Sequence, residues 1–363
     1  MNPLLLPAIA FAATLLFILA LRPLAIAVSL IDKPDERKVH KGEIPLIGGV
    51  AIYLALLVTV LAGVVISGDA IASDRVLFSY FGAAYLLVAV GVWDDKKGLS
   101  PSLRLATETS AALIMVYGAQ VLLTDLGALS PKGTTLFLGW FAVPFTIFAT
   151  VGVINAVNMC DGLDGLSGML TLVMLAGLGA ANTMWGSVDE LPLLNILSGA
   201  VAGFLAFNQR MAWRNKAWVF LGDAGSMMLG FSLAWMVIEI TQVDLGSDMP
   251  RILSPSMGLW FLMVPVMDTV AIMLRRIRKG KSPFHADAEH LHHLFVRSGF
   301  SVGEALAAIC SLAFIGCIAG LLFRYFLVPD IIVAGSFVAL GVAYLFFVDS
   351  CWRKKTFLGR EIV

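Results

Sequence analysis

The chain contains about eleven stretches of mostly apolar residues, each close to the length that crosses a lipid bilayer. A membrane-spanning helix needs roughly 20 such residues. We expect these spans, with soft boundaries, at Asn2–Ile31, Pro45–Ser67, Leu77–Trp93, Leu103–Leu123, Thr134–Ile154, Leu163–Trp185, Leu191–Phe207, Ala217–Ile240, Ser256–Leu274, Val302–Phe323 and Asp330–Val348. The sequence therefore predicts an all-α, polytopic integral membrane protein.

The composition supports a membrane location. Hydrophobic residues make up 59% of the 363 residues and charged residues only 14%, against about 45–50% and about 25% in soluble globular proteins. The 25 basic and 25 acidic residues give a net charge of zero, so no basic field favours a nucleic-acid partner. The four cysteines form no CxxC pair and no metal spacing, which indicates free thiols.

We expect a single transmembrane domain over residues 1–350, followed by a short basic tail at 351–363. The first apolar run lacks the basic segment that opens a secretory signal peptide, since its charges, beginning at Arg22, come late or after it. An uncleaved first helix is therefore expected rather than a cleaved signal peptide.

The loops between the predicted spans alternate between basic segments and segments with few basic residues. Four of the 25 basic residues lie in one set of loops, so the remaining 21 lie on the other side. By the positive-inside rule, that side faces the cytoplasm, which places the N-terminus outside and the C-terminus inside. The polar clusters that could carry chemistry all fall on this side, whereas random loop polarity would be distributed over both.

Two adjacent carboxylates, Asp94 and Asp95, end the third predicted helix. Acidic residues at a helix C-terminus oppose the macrodipole, and neighbouring carboxylates repel each other unless a cation lies beside them. Mg²⁺ is a suitable cation because it binds carboxylate oxygens and retains water and phosphate ligands. The alternative is a solvated helix end with Lys96 and Lys97 as counter-charges.

The stretch VNMCDGLDGLSG, Val157–Gly168, places Asn158, Asp161 and Asp164 among three glycines, between two apolar runs. A helix beginning at Asp161 would put both carboxylates on neighbouring faces, and a helix N-terminus binds phosphate well. The glycines allow a ligand or another helix to approach the backbone. The alternative is a capped loop, because Asp and Gly are ordinary turn residues.

A third acidic site is Asp223, which lies between Gly222 and Gly225 in FLGDAGS, at the start of an apolar helix. This aspartate is either an N-cap or, together with the other acidic sites, part of a metal or diphosphate site.

Four histidines follow the basic run RRIRKGK: His285, His290, His292 and His293. We expect His290 and His293 to share a helical face that excludes His292. Because the preceding basic run attracts phosphate, the cluster fits phosphate binding at least as well as a zinc site or a pH-sensitive surface.

One carboxylate, Asp268, is predicted inside the ninth span. An ionisable residue within a membrane helix is a functional candidate by default. We favour a structural or supporting role for it, with Arg275, two turns on, as its partner and Pro265 loosening the backbone nearby.

In order and spacing, these motifs resemble those of the polyprenyl-phosphate N-acetylhexosamine-1-phosphate transferase superfamily, over nearly the whole chain. They are HKGEIPLIGG (His40–Gly49), the pair Asp94-Asp95, NAVNMCDGLDGL (Asn155–Leu166), FLGDAGS (Phe220–Ser226) and HLHH (His290–His293). The basic run followed by HLHHL is most similar to the bacterial undecaprenyl-phosphate N-acetylglucosaminyl-1-phosphate transferases. One departure is Gly98, which stands where relatives often carry the last aspartate of DDxxD.

The resemblance implies that undecaprenyl phosphate attacks the β-phosphorus of UDP-N-acetylglucosamine and UMP leaves, at the cytoplasmic face of the inner membrane. It implies Mg²⁺, or alternatively Mn²⁺, as cofactor, and a role in starting cell-surface polysaccharide synthesis of the O-antigen or common-antigen type. The matched motifs imply Asp223 and Asp161 as metal ligands, Asp94 as general base with Asp95 beside it, Asp164 and Asn158 on the nucleotide side, and Lys41, Asn155, His290, His292 and His293 as substrate-binding residues.

Several alternatives stay open from the sequence. The same transfer could use another sugar, such as N-acetylgalactosamine, a deoxy-amino sugar or MurNAc-pentapeptide, and a covalent aspartyl-phosphate route could replace direct attack. A nucleotide-sugar or lipid transporter would also have many helices, but its site would lie near the bilayer midplane, often between inverted repeats, and no repeat is visible in the sequence. The apolar surface is compatible with a homodimer.

Overall fold

Thirteen α-helices and two small β-hairpins form the part of the chain that the computed structural model describes, which is residues 4–32, 43–67, 74–186, 192–210, 214, 216–242, 251–282 and 289–362. The helices are α1 Leu5–Ala27, α2 Gly48–Ser67, α3 Asp74–Lys97, α4 Pro101–Leu113, α5 Ala142–Met159, α6 Leu166–Trp185, α7 Pro192–Asn208, α8 Gly222–Thr241, α9 Pro255–Phe261, α10 Met263–Arg278, α11 Leu291–Arg297, α12 Val302–Tyr325 and α13 Asp330–Lys354. The antiparallel strand pairs are β1 Ile31–Asp32 with β2 Ile44–Pro45, and β3 Thr356–Phe357 with β4 Arg360–Glu361.

The described helices confirm a polytopic membrane protein, but three of the eleven predicted spans differ from simple crossings. Eight helical segments are long and apolar enough to cross a membrane. The predicted span Leu103–Leu123 is the 13-residue α4 followed by a π-helix, and α7 has only 17 residues. The predicted span Ser256–Leu274 is wrong as a single helix, because α9 and α10 meet at an angle of 86°.

The break between α9 and α10 falls at Leu262 and not at Pro265. Pro265 lies in the first turn of α10, where a missing N–H breaks no intrahelical hydrogen bond. The bend redirects α10 away from the axis of α9, so that one wall of the cavity described below is made by two differently oriented helices.

The central helix α8 is buried along almost its whole length and carries Asp223 in its first turn. Two glycines of neighbouring helices allow a close approach to this end of α8. A Cβ on Gly49 of α2 would collide with the backbone of Gly225, and a Cβ on Gly91 of α3 would collide with that of Ala224. The N-terminus of α8 is therefore held between α2 and α3, which fixes the position of Asp223.

A polar network closes the opposite end of the helix bundle. The buried Asp125 accepts a hydrogen bond from Arg251 at 2.6 Å, and Gln242 Oε1 accepts one from the Thr124 backbone N–H at 2.9 Å. Asp330 at the start of α13 accepts hydrogen bonds from the Ala128 N–H at 2.7 Å and from the Ser256 hydroxyl at 3.2 Å. These contacts join the loops that precede α5, α9 and α13.

The C-terminal segment is folded onto the body of the protein. Helix α13 continues past position 350 to Lys354, so the boundary predicted for the tail falls inside a helix. Beyond it, the β3–β4 hairpin buries Phe357 against Phe295 and Phe300. The four cysteines are free thiols, as predicted.

Candidate functional site

A cavity of about 1530 Å³ begins with polar walls at one end of the bundle, the polar end. It continues as an apolar groove towards the network of Asp125, Gln242 and Asp330 at the opposite end. Every predicted site residue that the structure describes lies on the wall of this cavity: Asp94, Asp95, Asn155, Asn158, Asp161, Asp164, Asp223, His290, His292 and His293. The predicted substrate ligand Lys41 and the fourth histidine, His285, lie outside the described residues. The separate sequence motifs therefore converge on one surface.

Asp95 holds the N-terminus of α8. Its carboxylate accepts hydrogen bonds from the backbone N–H groups of Asp223 at 2.9 Å and Ala224 at 3.4 Å. A Cβ at Gly222, where φ is +73°, would collide with this carboxylate. Asp95 opposes the dipole of its own helix but complements that of α8, so this contact accounts for its position without a cation.

Arg104 of α4 connects three of the predicted site residues. Its Nε lies 3.1 Å from the buried Asp94 carboxylate, and its Nη2 donates a hydrogen bond to Asn158 Oδ1 at 2.9 Å and lies 3.6 Å from Asp223 Oδ1. The Leu99 N–H also donates to Asp94, at 2.6 Å. Arg104 thus supplies a positive charge among carboxylates at the polar end.

Asn158 links α5 to the start of α8. Its Nδ2 donates hydrogen bonds to Asp223 Oδ1 at 2.7 Å and to the Ser226 hydroxyl at 2.8 Å. Asn155, one turn deeper along α5, donates instead to the buried Glu108 of α4 at 2.5 Å. The two asparagines therefore hold α4, α5 and α8 together around the carboxylates.

Arg104 and Glu108 were not identified as site residues from the sequence. The available signal was their spacing: two ionisable residues four apart lie on one helical face, within a stretch predicted to cross the membrane. Such residues are expensive in a bilayer and are usually functional.

The loop Asp161–Gly165 precedes α6, which begins at Leu166, so of the two alternatives for this stretch the structure has the loop and not a helix beginning at Asp161. Asp161 and Asp164 consequently do not share a helix face. Asp164 accepts hydrogen bonds from Arg210 Nε at 2.7 Å and from the Ala217 N–H at 3.2 Å, which ties the loop to the α7–α8 connection.

Asp161 opens into the cavity. Enclosure by the surrounding protein raises the pKa of its carboxyl to about 7, and the nearby carboxylates of Asp223 and Asp164 act in the same direction. A carboxyl in this state gains most from a cation bound beside it.

The three described histidines form one cluster, so the prediction that His292 lies on another face is wrong. His290 precedes α11, and the ring centroids of His290 and His292 are 5.8 Å apart, those of His292 and His293 4.0 Å. Burial lowers the pKa of His292 to about 3, with charge on His293 and His290 acting in the same direction, so its imidazole is neutral at pH 7.

His292 presents an unsatisfied nitrogen beside the Asp161–Gly165 loop. Its Nε2 is buried and has no hydrogen-bond partner among the described residues. A Cβ on Gly162 would occupy the position of this ring, so only glycine leaves room for it. A buried nitrogen of this kind on a cavity wall is suited to a ligand hydrogen bond.

The partner predicted for Asp268 is also wrong. Arg275 forms an ion pair with Glu289 at 2.8 Å, whereas Asp268 contacts His290 and Tyr344.

The polar end fits a divalent cation of the Mg²⁺ type, although the described residues contain no group of three His, Cys, Asp or Glu side chains placed to hold a metal by themselves. Asp161 and Asp223 both face the cavity and interact electrostatically. Mg²⁺ is commonly held by one or two carboxylates, with water and substrate phosphates as its other ligands. Two carboxylates beside an open space satisfy that requirement.

Chemically, this arrangement can bind a polyanion that carries an apolar chain. It combines carboxylates for a cation, the Arg104 guanidinium and imidazoles for phosphate oxygens, and an apolar groove that is continuous with them.

The chain is similar to known proteins over most of its length. A family profile described as Glycosyl transferase family 4 matches residues 77–241. An undecaprenyl-phosphate alpha-N-acetylglucosaminyl 1-phosphate transferase of Haemophilus influenzae is 34% identical over 353 residues, which cover 97% of this chain and 96% of that protein. Proteins of the same name are 34% identical in Escherichia coli K12 and 32% identical in Yersinia pestis, each over 96% of this chain and 92% of the relative. The chain therefore belongs to the polyprenyl-phosphate N-acetylhexosamine-1-phosphate transferase superfamily, in the family of the undecaprenyl-phosphate α-N-acetylglucosaminyl 1-phosphate transferases.

Proposed function

We propose that this protein transfers N-acetylglucosamine 1-phosphate from UDP-N-acetylglucosamine to undecaprenyl phosphate, at the cytoplasmic face of the inner membrane, and so starts a cell-surface polysaccharide. The observation that carries the proposal is the single cavity in which a cluster of carboxylates, arginine and histidines continues into an apolar groove. One substrate is a water-soluble diphosphate and the other a phosphate on a long hydrocarbon. Only a site that combines a polar part with an apolar part, at a membrane surface, brings these two substrates together.

The apolar groove is suited to the prenyl chain of the acceptor. Apolar side chains of α5, α8, α9 and α10 line it, among them Phe145, Phe148, Val237, Leu259 and Val270. Phe148 and Val270 line the groove and are exposed, which supports access to the groove from the lipid side. A prenyl phosphate could therefore enter from the lipid side and place its phosphate near Arg104.

In the proposed reaction, an oxygen of the lipid phosphate attacks the β-phosphorus of the donor. The bond between this phosphorus and the bridging oxygen breaks, and UMP leaves with that oxygen. The sugar phosphate stays on the lipid as a diphosphate. Catalysis of such a transfer depends mainly on positioning and on neutralising charge.

The residues of the polar end would divide these tasks. Asp94 is our candidate for accepting any proton left on the acceptor phosphate, a small demand because the second pKa of a phosphate monoester is near 6. Arg104 beside it would bind phosphate oxygens of both substrates. Asp164 would act through Arg210, which lies on the cavity wall, and Asn158 would keep Asp223 in place.

On the nucleotide side, the histidine cluster would donate hydrogen bonds to the donor diphosphate, and we retain Lys41 as a further phosphate ligand. Mg²⁺, or alternatively Mn²⁺, would be held by Asp223 and Asp161 and would offset the negative charge of the two phosphate-bearing substrates.

The direct test is UMP release by the purified protein in detergent, with UDP-N-acetylglucosamine, undecaprenyl phosphate and Mg²⁺, and with EDTA as control. UMP formed only when both lipid and metal are present would establish the reaction. UMP formed with another UDP-sugar but not with this one would keep the reaction and change the donor. No UMP with any donor, from folded protein, would overturn the enzyme assignment.

Asp161 gives a pH-dependent prediction. Because its pKa is raised to about 7, a divalent cation has to displace a proton below that pH. The apparent affinity for Mg²⁺ is therefore expected to rise with pH up to about 7 and to level off above it. Mg²⁺ titrations of UMP release between about pH 6 and pH 8.5 would measure this dependence.

The matched control is Asp161→Asn, which keeps the shape of the side chain and cannot titrate. The acceptor phosphate, with a second pKa near 6, titrates equally in both proteins, so the difference between them isolates Asp161. The same pH slope of Mg²⁺ affinity in wild type and variant would contradict the assignment of Asp161 as a ligand.

A further inference from the structure

Asp268 is a buried carboxylate in the second turn of α10, inside the bent pair of helices, with only 2% of its surface exposed. A charge in such a place persists only when other groups satisfy it. Three hydrogen-bond donors converge on it: His290 Nδ1 at 2.9 Å, the Leu291 N–H at 3.1 Å and the Tyr344 hydroxyl at 2.7 Å. Asp268 thus connects α10 with α13 and with the start of α11.

The hydrogen bond to Asp268 fixes the orientation of the His290 ring. An ionised carboxylate only accepts hydrogen bonds, so Nδ1 must carry the hydrogen. The opposite nitrogen, Nε2, then lies on the far edge of a ring that is itself 5% exposed and part of the cavity wall. When Nε2 also carries a hydrogen and donates it to an anion, the charge of the imidazolium is balanced by Asp268.

The orientation of His290 extends to the rest of the cluster. The His292 ring is stacked on it with an interplanar angle of 7°, and the unpaired Nε2 of His292 lies beside Gly162. A rotation of the His290 ring would therefore also displace His292 from the loop that carries Asp161.

We propose that Asp268 is a positioning residue for the donor: together with Tyr344, it holds His290 so that Nε2 is presented to the phosphate oxygens of the nucleotide diphosphate. This inference rests on the proposed function, because it takes the UDP moiety as the anion at the histidine cluster.

The test is a double-mutant cycle of Asp268→Asn and His290→Ala, with kcat and KM measured for UDP-N-acetylglucosamine. We expect Asp268→Asn alone to lower kcat/KM about 10- to 100-fold, by analogy with the loss of a carboxylate that orients a metal-ligating histidine. In the His290→Ala background the same substitution should have almost no further effect, because the residue acts through His290.

A matched control is Asp330→Asn. Asp330 also accepts one backbone N–H and one hydroxyl, from Ala128 and Ser256, but at the far end of the bundle and with no histidine among these donors. This variant should retain the kcat/KM of the wild type. Tyr344→Phe serves where Asp268→Asn does not fold: it removes one hydrogen bond from Asp268, should lower kcat/KM roughly two- to tenfold, and should lose this effect in the His290→Ala background.

Multiplicative losses in the double variants would overturn the inference, because they would show that Asp268 or Tyr344 acts independently of His290. If the wild type is active and the double variants show such losses, the proposed function stands and only this inference fails. A folded wild type that releases no UMP with any donor overturns the proposed function and this inference together, so the two failures are distinguishable.

Discussion

Asp223→Asn is expected to lower kcat for UMP release by roughly 10²- to 10³-fold, the loss typical of removing one group that stabilises transition-state charge. Asparagine has the same shape, and the backbone N–H of residue 223 would still donate to Asp95. The helix start should therefore stay in place while the negative charge for the cation is lost. Initial rates at saturating donor and acceptor, over a series of Mg²⁺ concentrations, would measure both kcat and the activation by metal.

Ser226→Ala provides the matched control for Asp223→Asn. Ser226 and Asp223 both accept a hydrogen bond from Asn158 Nδ2, at 2.8 Å and 2.7 Å, but the hydroxyl carries no negative charge to offset that of a cation. Loss of this neutral contact should cost no more than about tenfold in kcat. Similar rates for both variants, or an Asp223→Asn protein with unchanged metal activation, would contradict the role proposed for Asp223.

The sequence was sufficient to predict the groups that gather at the site. Membrane-length apolar runs, the positive-inside rule and the motif order placed Asp94, Asn158, Asp223 and the histidines on one side, and the structure places them on one cavity wall. This grouping could be predicted because it depends on composition and on local spacing, which the sequence contains directly, whereas the orientation given by the positive-inside rule stays a prediction.

The partners of these residues could not be predicted in the same way. Asp268 is 22 residues from His290 and 76 residues from Tyr344, whereas helical spacing identifies only neighbours three or four positions away. The expected partner, Arg275, was within that local range and is paired elsewhere. The contact of Asp95 with the N-terminus of α8 likewise spans 128 residues.

The bend between α9 and α10 and the start of α6 could not be predicted from the sequence, for a related reason. Hydropathy gives α9 and α10 a single apolar run, because the break at Leu262 has no glycine or charge to mark it. In VNMCDGLDGLSG, aspartate and glycine are compatible with a helix start or a turn. In the structure this stretch is a turn, and Asp164 contacts Arg210 and the α7–α8 connection there. No local sequence pattern contains that contact.

Arg104→Met is the second substitution expected to have a large effect, with kcat/KM lowered roughly 10²- to 10³-fold. Arg104 is the cation that lies between Asp94, Asn158 and Asp223, so its loss removes positive charge where two phosphate-bearing substrates must meet. Arg104→Lys should retain only part of the wild-type activity, because one ammonium cannot reproduce the forked geometry of a guanidinium with several partners. UMP release with each substrate varied in turn would measure the effect.

Lys97→Met is the control for loss of a basic charge near this helix end, because Lys97 is exposed in the last turn of α3. Its kcat/KM should stay close to that of the wild type, since exposed charges are screened by salt and water. Wild-type activity in Arg104→Met, or an equal loss in Lys97→Met, would contradict a specific role for the guanidinium.

A double variant, Asp94→Asn with Arg104→Met, separates two explanations of the same loss. If Arg104 served only to balance the buried Asp94 carboxylate, the double variant would be as active as Asp94→Asn alone, because no carboxylate charge would be left to balance. If Arg104 binds phosphate, as we propose, the double variant should recover thermal stability relative to Arg104→Met but release UMP much more slowly than Asp94→Asn. Measuring the unfolding temperature and kcat/KM of the double variant and of both single variants decides between them, because only phosphate binding by Arg104 predicts this further loss of activity.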